Sequence, residues 1–143
     1  MKKKIIGRLD KVDFPDLNLK EISVKIDTGA YTSSIHCENI EEKEDGLHCI
    51  FLDKEHLEYN NKPLVFNAYN KIRVKSSNGI AQSRYEIKSK IEIFGKVYKI
   101  SLSLSNRKEM KHPVLLGRKF LNKKFIVDPE LKNLSHNIHH HEH

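Results

Sequence analysis

Cysteine is scarce in this chain. Cys37 and Cys49 are its two cysteines, too few for a disulfide framework and in keeping with a reducing compartment. Long apolar runs are missing too. No stretch approaches the roughly 20 apolar residues that a membrane helix needs, so no membrane partner is expected. The opening MKKKII has the charge of a signal peptide, but its apolar stretch stops at Gly7-Arg8, short of an h-region. The cytoplasm is the expected location. No His-Glu-x-x-His and no Gly-x4-Gly-Lys-Ser/Thr loop occurs, so neither zinc proteolysis nor ATP binding has a residue basis, and no cofactor is expected. Helical periodicity is scarce as well.

What the chain does have is positive charge. Lys and Arg number 26 against 19 Asp and Glu, a net +7 over 143 residues. Such an excess favours acidic partners. The basic residues are spread along the chain, and no alternation of basic and aromatic residues of the base-stacking kind appears, which argues against nucleic acid. Their densest stretch, residues 107–124, also holds the apolar run Val114-Leu115-Leu116.

The apolar pattern is that of strands. Ile22, Val24 and Ile26 alternate, and so do Leu47, Cys49 and Phe51 after the turn signal Asp45-Gly46. Ile72 and Val74 lead into Ser76-Ser77-Asn78-Gly79, where Asn-Gly is a strong hairpin signal because both residues tolerate positive φ. Tyr85, Ile87, Ile91 and Ile93 keep odd spacing. After Phe94-Gly95-Lys96, Tyr98, Ile100, Leu102 and Leu104 keep even spacing, which predicts a long hairpin. The one helix expected is GRKFLNKKF, residues 117–125. Many short strands and one late helix argue for a mostly β chain, a small closed barrel or a sandwich. Residues 1–130 read as a single domain. Residues 131–143 form a His-rich tail, either native or a purification remnant, and are set aside from fold reasoning.

Chemistry points to SVKIDTGAYTSSIH, residues 23–36. A strand runs into Asp27-Thr28-Gly29-Ala30. An acid at a strand end can be held by backbone N–H groups, the threonine can bond across to a partner loop, and the glycine lets backbone approach closely. Later, HPVLLGRKFL (112–121) runs two apolar residues into Gly-Arg and a helix. With the Asn78-Gly79 hairpin between them, the order resembles that of retropepsins, the single-domain aspartic proteases of retroviral type. VKIDTGAYTSSIH, IRVKSSNG, LSLSNRKEMKHPVLLGRKFL and FIVDP together are closer still to the RimB-like family labelled ATP-dependent zinc proteases. These are retropepsin-like proteins often associated with RimK-type glutamate ligases.

The resemblance implies a small closed retropepsin-like barrel and an aspartic endopeptidase. Asp27, Thr28 and Gly29 would form the catalytic turn. Ala30, the flap residues Ser76, Ser77, Asn78 and Gly79, and Arg118 would meet substrate. It also implies an acidic, polyglutamate-like peptide as that substrate. The aspartates are residues 10, 13, 16, 27, 45, 53 and 128, and Asp27 alone precedes Thr/Ser-Gly. One chain therefore holds half a site, and a C2 homodimer is expected to complete it. Retroviral enzymes usually carry an acid after the D-T-G-A that pairs with the later arginine. Here that position is Tyr31, so Arg118 needs another partner, a carbonyl or substrate. Two other readings stay open: a zinc-dependent hydrolase, as the family label says, with His36, Cys37, His48 and Cys49 as donors, or a catalytically silent basic barrel that binds nucleic acid.

Overall fold

A computed structural model describes residues 2–75, 78–106 and 111–141. Eleven strands appear there: β1 (Lys4–Ile6), β2 (Leu9–Phe14), β3 (Leu19–Ile26), β4 (Ser33–Lys43), β5 (Gly46–Phe51), β6 (Leu64–Phe66), β7 (Asn70–Lys75), β8 (Ala81–Ile93), β9 (Lys96–Ser105), β10 (Val114–Leu116) and β11 (Phe125–Val127). Two short helices accompany them, α1 (Arg118–Leu121) and α2 (Leu134–His141). No described helix is long and apolar enough to cross a membrane.

Six strands close on themselves in the order β10, β3, β2, β8, β9, β4, with β4 pairing back to β10. That ring is a small β-barrel. Its interior follows from the alternation: Val12 and Phe14, Ile22 and Val24, Ile87 and Ile91, and Leu102 and Leu104 are all buried. Closure depends on β10, which runs parallel to β3 (Leu116 opposite Ile26) and antiparallel to β4 (Val114 opposite Ile35). Three apolar residues thus close the ring by inserting between β3 and β4 from 90 and 79 positions further along the chain. β5 and β6 extend the sheet beyond β4, and β1 pairs with β11 in a separate parallel ribbon.

Both expected hairpins form. In the first, β7 and β8 pair from Asn70–Glu86 to Lys75–Ala81, so five residues, 76–80, make the connection. Ser76 and Ser77 lie outside the described residues; Gly79 has φ +84°. In the second, Ile93 faces Lys96 across Phe94-Gly95, both with positive φ, the tight two-residue turn whose twist matches the strands. A phenylalanine there is costly, and Phe94 has supports: its N–H donates to Ser135 Oγ at 2.7 Å and its ring packs against Phe125.

The helices depart from expectation. The nine-residue helix over 117–125 is one turn, because Asn122 already has extended geometry (ψ 136°) and the chain must straighten to enter β11. A second helix, α2, begins in the His-rich segment. Its first turn is capped from a distance: Ser135 and His136 donate their N–H groups to the buried Asp10 carboxylate at 3.0 and 3.1 Å.

Candidate active site

Asp27 is the first residue after β3, and the parallel register with β10 places it. Its N–H donates to Leu116 O at 2.9 Å, one step beyond the last ladder pair. The chain then turns. Ala30 N–H returns to Asp27 O at 3.2 Å, and Gly29 N–H donates to Asp27 Oδ1 at 3.0 Å. A Cβ on Gly29 would lie 3.3 Å from that same oxygen, so glycine is what leaves the carboxylate room. Asp27 is half-buried, while Thr28 and Gly29 are exposed.

The turn is clasped from outside by the start of α1. Arg118 N–H donates to Ala30 O at 2.8 Å and Lys119 N–H to Tyr31 O at 2.9 Å. Gly117 N–H donates to the buried Ser33 Oγ at 3.0 Å. Gly117 is needed here for closeness: a Cβ would fall 2.5 Å from Thr32 O and 2.7 Å from Tyr31 O. Arg118 Nη1 donates to Thr28 O at 2.9 Å, and its guanidinium lies 5.8 Å from the centre of the Tyr31 ring. With no acid after Ala30, Arg118 takes a carbonyl and an aromatic face instead.

The structure therefore brings Asp27, Thr28, Gly29, Ala30 and Arg118 into one clasped loop. Asn78 and Gly79 stand exposed at the tip of the first hairpin.

Asp53 carries no signal in the sequence pattern, yet it holds His36. His36 Nε2 lies 2.7 Å from Asp53 Oδ2, and both residues are nearly fully buried. Burial would push the Asp53 carboxyl up, but hydrogen bonds from Glu55 N–H and His36 outweigh it and hold Asp53 below the usual carboxylate range. His36 is thus a buried partner of the corner after β5, pinned further by its own N–H to Pro113 O.

The zinc donors suggested by the sequence do not assemble. β4 and β5 pair as that idea requires, and the Cys37 and Cys49 thiols come into hydrogen-bond contact. But His36 turns to Asp53, and His48 Nε2 turns to Asp45 Oδ1 at 2.7 Å. Burial pushes the Cys37 thiol up, with Cys49 adding to the effect, as for two neighbouring thiols in an apolar core. Among the described residues no three His, Cys, Asp or Glu converge on a point. The residues present do not fit a zinc centre.

A closed six-stranded barrel with a D-T-G-A turn at a strand end, clasped by a Leu-Leu-Gly-Arg turn into a helix, has retropepsin-like architecture. The chain belongs to the RimB-like family, whose model, described as retropepsin-like aspartic endopeptidase RimB, matches residues 5–137. Among its relatives is a probable alpha-L-glutamate ligase of Desulfotalea psychrophila, 34% identical over 138 residues, covering 91% of this chain and 29% of that protein. Another of the same description, from Shewanella pealeana, is 35% identical over 130 residues, 87% of this chain and 28% of the relative. The chain thus spans under a third of the length of these curated relatives. A crystal structure of Lpg0085, a Legionella pneumophila protein of unknown function, superposes with a TM-score of 0.60 at 26% identity over 94% of this chain and 99% of the other.

Proposed function

We propose that the chain is one half of a cytoplasmic aspartic endopeptidase, completed by a C2 homodimer and acting on acidic, polyglutamate-like peptides. The observation that carries this reading is the state of Asp27. Its Oδ1 is fixed by Gly29 N–H, and no hydrogen bond from another described residue reaches its Oδ2. The exposed Thr28 hydroxyl likewise has no partner among the described residues and is available to a second copy of the loop. Two Asp27 carboxyls about 3 Å apart cannot both ionise, so the pair would share one proton. One member takes a proton from a water lying between them while the other protonates the scissile carbonyl oxygen, and the roles reverse as the amine leaves. Ala30, Arg118 and the hairpin residues Ser76 to Gly79 would line the substrate. The acidic substrate is supported by the net charge of +7 and by the glutamate chemistry in the names of the relatives.

The test is a mixing experiment on a glutamate-rich peptide. Asp27→Asn should abolish cleavage while leaving the fold intact. Because both carboxyls come from Asp27, a mixed dimer is dead too. With free exchange of chains, activity should fall as the square of the wild-type fraction. A linear fall would mean a complete site in each chain, and full activity in Asp27→Asn would end the aspartic reading.

A further inference from the structure

Away from the Asp27 turn, a cavity of about 490 Å3 is lined by residues of β8, β9 and α1. Five lysines line it: Lys88, Lys90, Lys99, Lys119 and Lys124, against two acids, Asp16 and Glu86. None of the five forms an ion pair with a described residue, though Lys124 Nζ donates to Phe120 O at 2.9 Å and sits over the Phe120 ring. Lys90 and Lys99 face each other directly across the β8–β9 ladder, an arrangement that costs stability when nothing negative lies near. Ser89, paired with Ile100 across the ladder, is buried on the inward face with Ile87 and Ile91, the opposite strand face from Lys88 and Lys90. Ile100 and Phe120 contribute apolar surface. The volume is that of a small-molecule site.

Five lysines without ion pairs around one cavity, with apolar surface beside them, describe a receptor for one kind of ligand. We propose that this cavity binds a small organic anion bearing two or more carboxylate or phosphate groups. The lysines neutralise its charge, and Ile100 and Phe120 lie beside its carbon frame. The site stands apart from the peptidase reading, since Asp27 is not on its wall. It does touch the clasp: Thr32 and Ser33 line the cavity, and Lys119, whose N–H holds Tyr31 O, lines it from α1.

The experiment titrates the whole chain with citrate, inorganic pyrophosphate and tetraglutamate, by calorimetry and by amide chemical shifts. Citrate or pyrophosphate should bind one per chain, and whichever is tighter tells carboxylate from phosphate recognition. Saturable shifts should centre on residues 88–90, 99–101 and 119–124. Lys90→Gln with Lys99→Gln should weaken binding roughly tenfold without lowering the melting temperature of the free protein, because it removes a repulsion. Asp27→Asn should bind as wild type. An equal loss on Lys54→Gln with Lys62→Gln would reduce the effect to general surface charge and overturn the proposal. Shifts spread over the surface without saturation would overturn it too. So would binding of tetraglutamate alone, which would make the cavity a peptide subsite.

Discussion

Asp27 and Asp53 have the same local geometry. Each follows a strand pairing and accepts the N–H of the residue two positions on, Gly29 at 3.0 Å and Glu55 at 2.9 Å. They differ in what surrounds the second oxygen. Asp53 is 3% exposed and bonds His36 at 2.7 Å, so its carboxylate is committed to holding β4 against the corner after β5. Asp27 is half-buried, and the glycine two residues on leaves its carboxylate open. An identical turn thus serves stability in one place and is left available for chemistry in the other, and burial with a partner makes the difference.

The contrast breaks most sharply on substitution to alanine. Asp53→Ala deprives a buried His36 Nε2 of its acceptor and should cost about 3 kcal/mol, while activity per folded molecule survives. Asp27→Ala should cost less than about 1 kcal/mol and remove all activity. Denaturant titration and a peptide assay on both variants would show the two effects crossing over. Acidity sharpens the point. Because the folded chain holds Asp53 ionised below the unfolded value, its contribution is present above about pH 4 and is lost as pH falls through the lower folded value. The stability gap between wild type and Asp53→Ala should therefore narrow in acid. A gap that widens there would reverse the assigned direction.

Which of these features can be read in the sequence depends on how local its cause is. Strand alternation is local, so β3, β5, β8 and β9 stand out, and so does a turn as specific as Asp27-Thr28-Gly29. The Gly117-Arg118 turn is legible for the same reason. The insertion of β10 between β3 and β4 is not, since three apolar residues carry no sign of which strands they will join. Asp10 capping α2 from 125 residues away leaves no periodic trace either, and Asp53 sits in a polar stretch, FLDKEHLEYN, without alternation. The helix that composition favours over 117–125 stops after one turn, because the chain must straighten to enter β11.

The next largest effect belongs to the clasp. In Gly117→Ala the new methyl would meet two backbone carbonyl oxygens of the Asp27 loop's outgoing arm, at 2.5 and 2.7 Å. Backbone cannot swing aside as a side chain does, so the arm or α1 must shift, at about 2 kcal/mol. Unlike Asp53→Ala, this variant should lose stability and activity together, since the same displacement moves Asp27. Full activity in a destabilised Gly117→Ala would uncouple the clasp from the acid.

The smallest effect on stability, and the finest division, is expected at Arg118. The side chain is exposed, and its bond to Thr28 O and its place over Tyr31 are worth less than about 1 kcal/mol together. Lysine keeps the charge but loses the planar fork and the stacking, so Arg118→Lys separates two roles that the position could combine. If the guanidinium acts by steadying Thr28 beside Asp27, kcat should fall several-fold with KM little changed, for glutamate-rich and neutral peptides alike. If it meets a substrate carboxylate, KM should rise for the glutamate-rich peptide and stay put for the neutral one. The geometry favours the first outcome, because Nη1 already donates to a carbonyl of the loop that holds the acid. A KM effect confined to the acidic peptide would move Arg118 from the frame of the site to its substrate face.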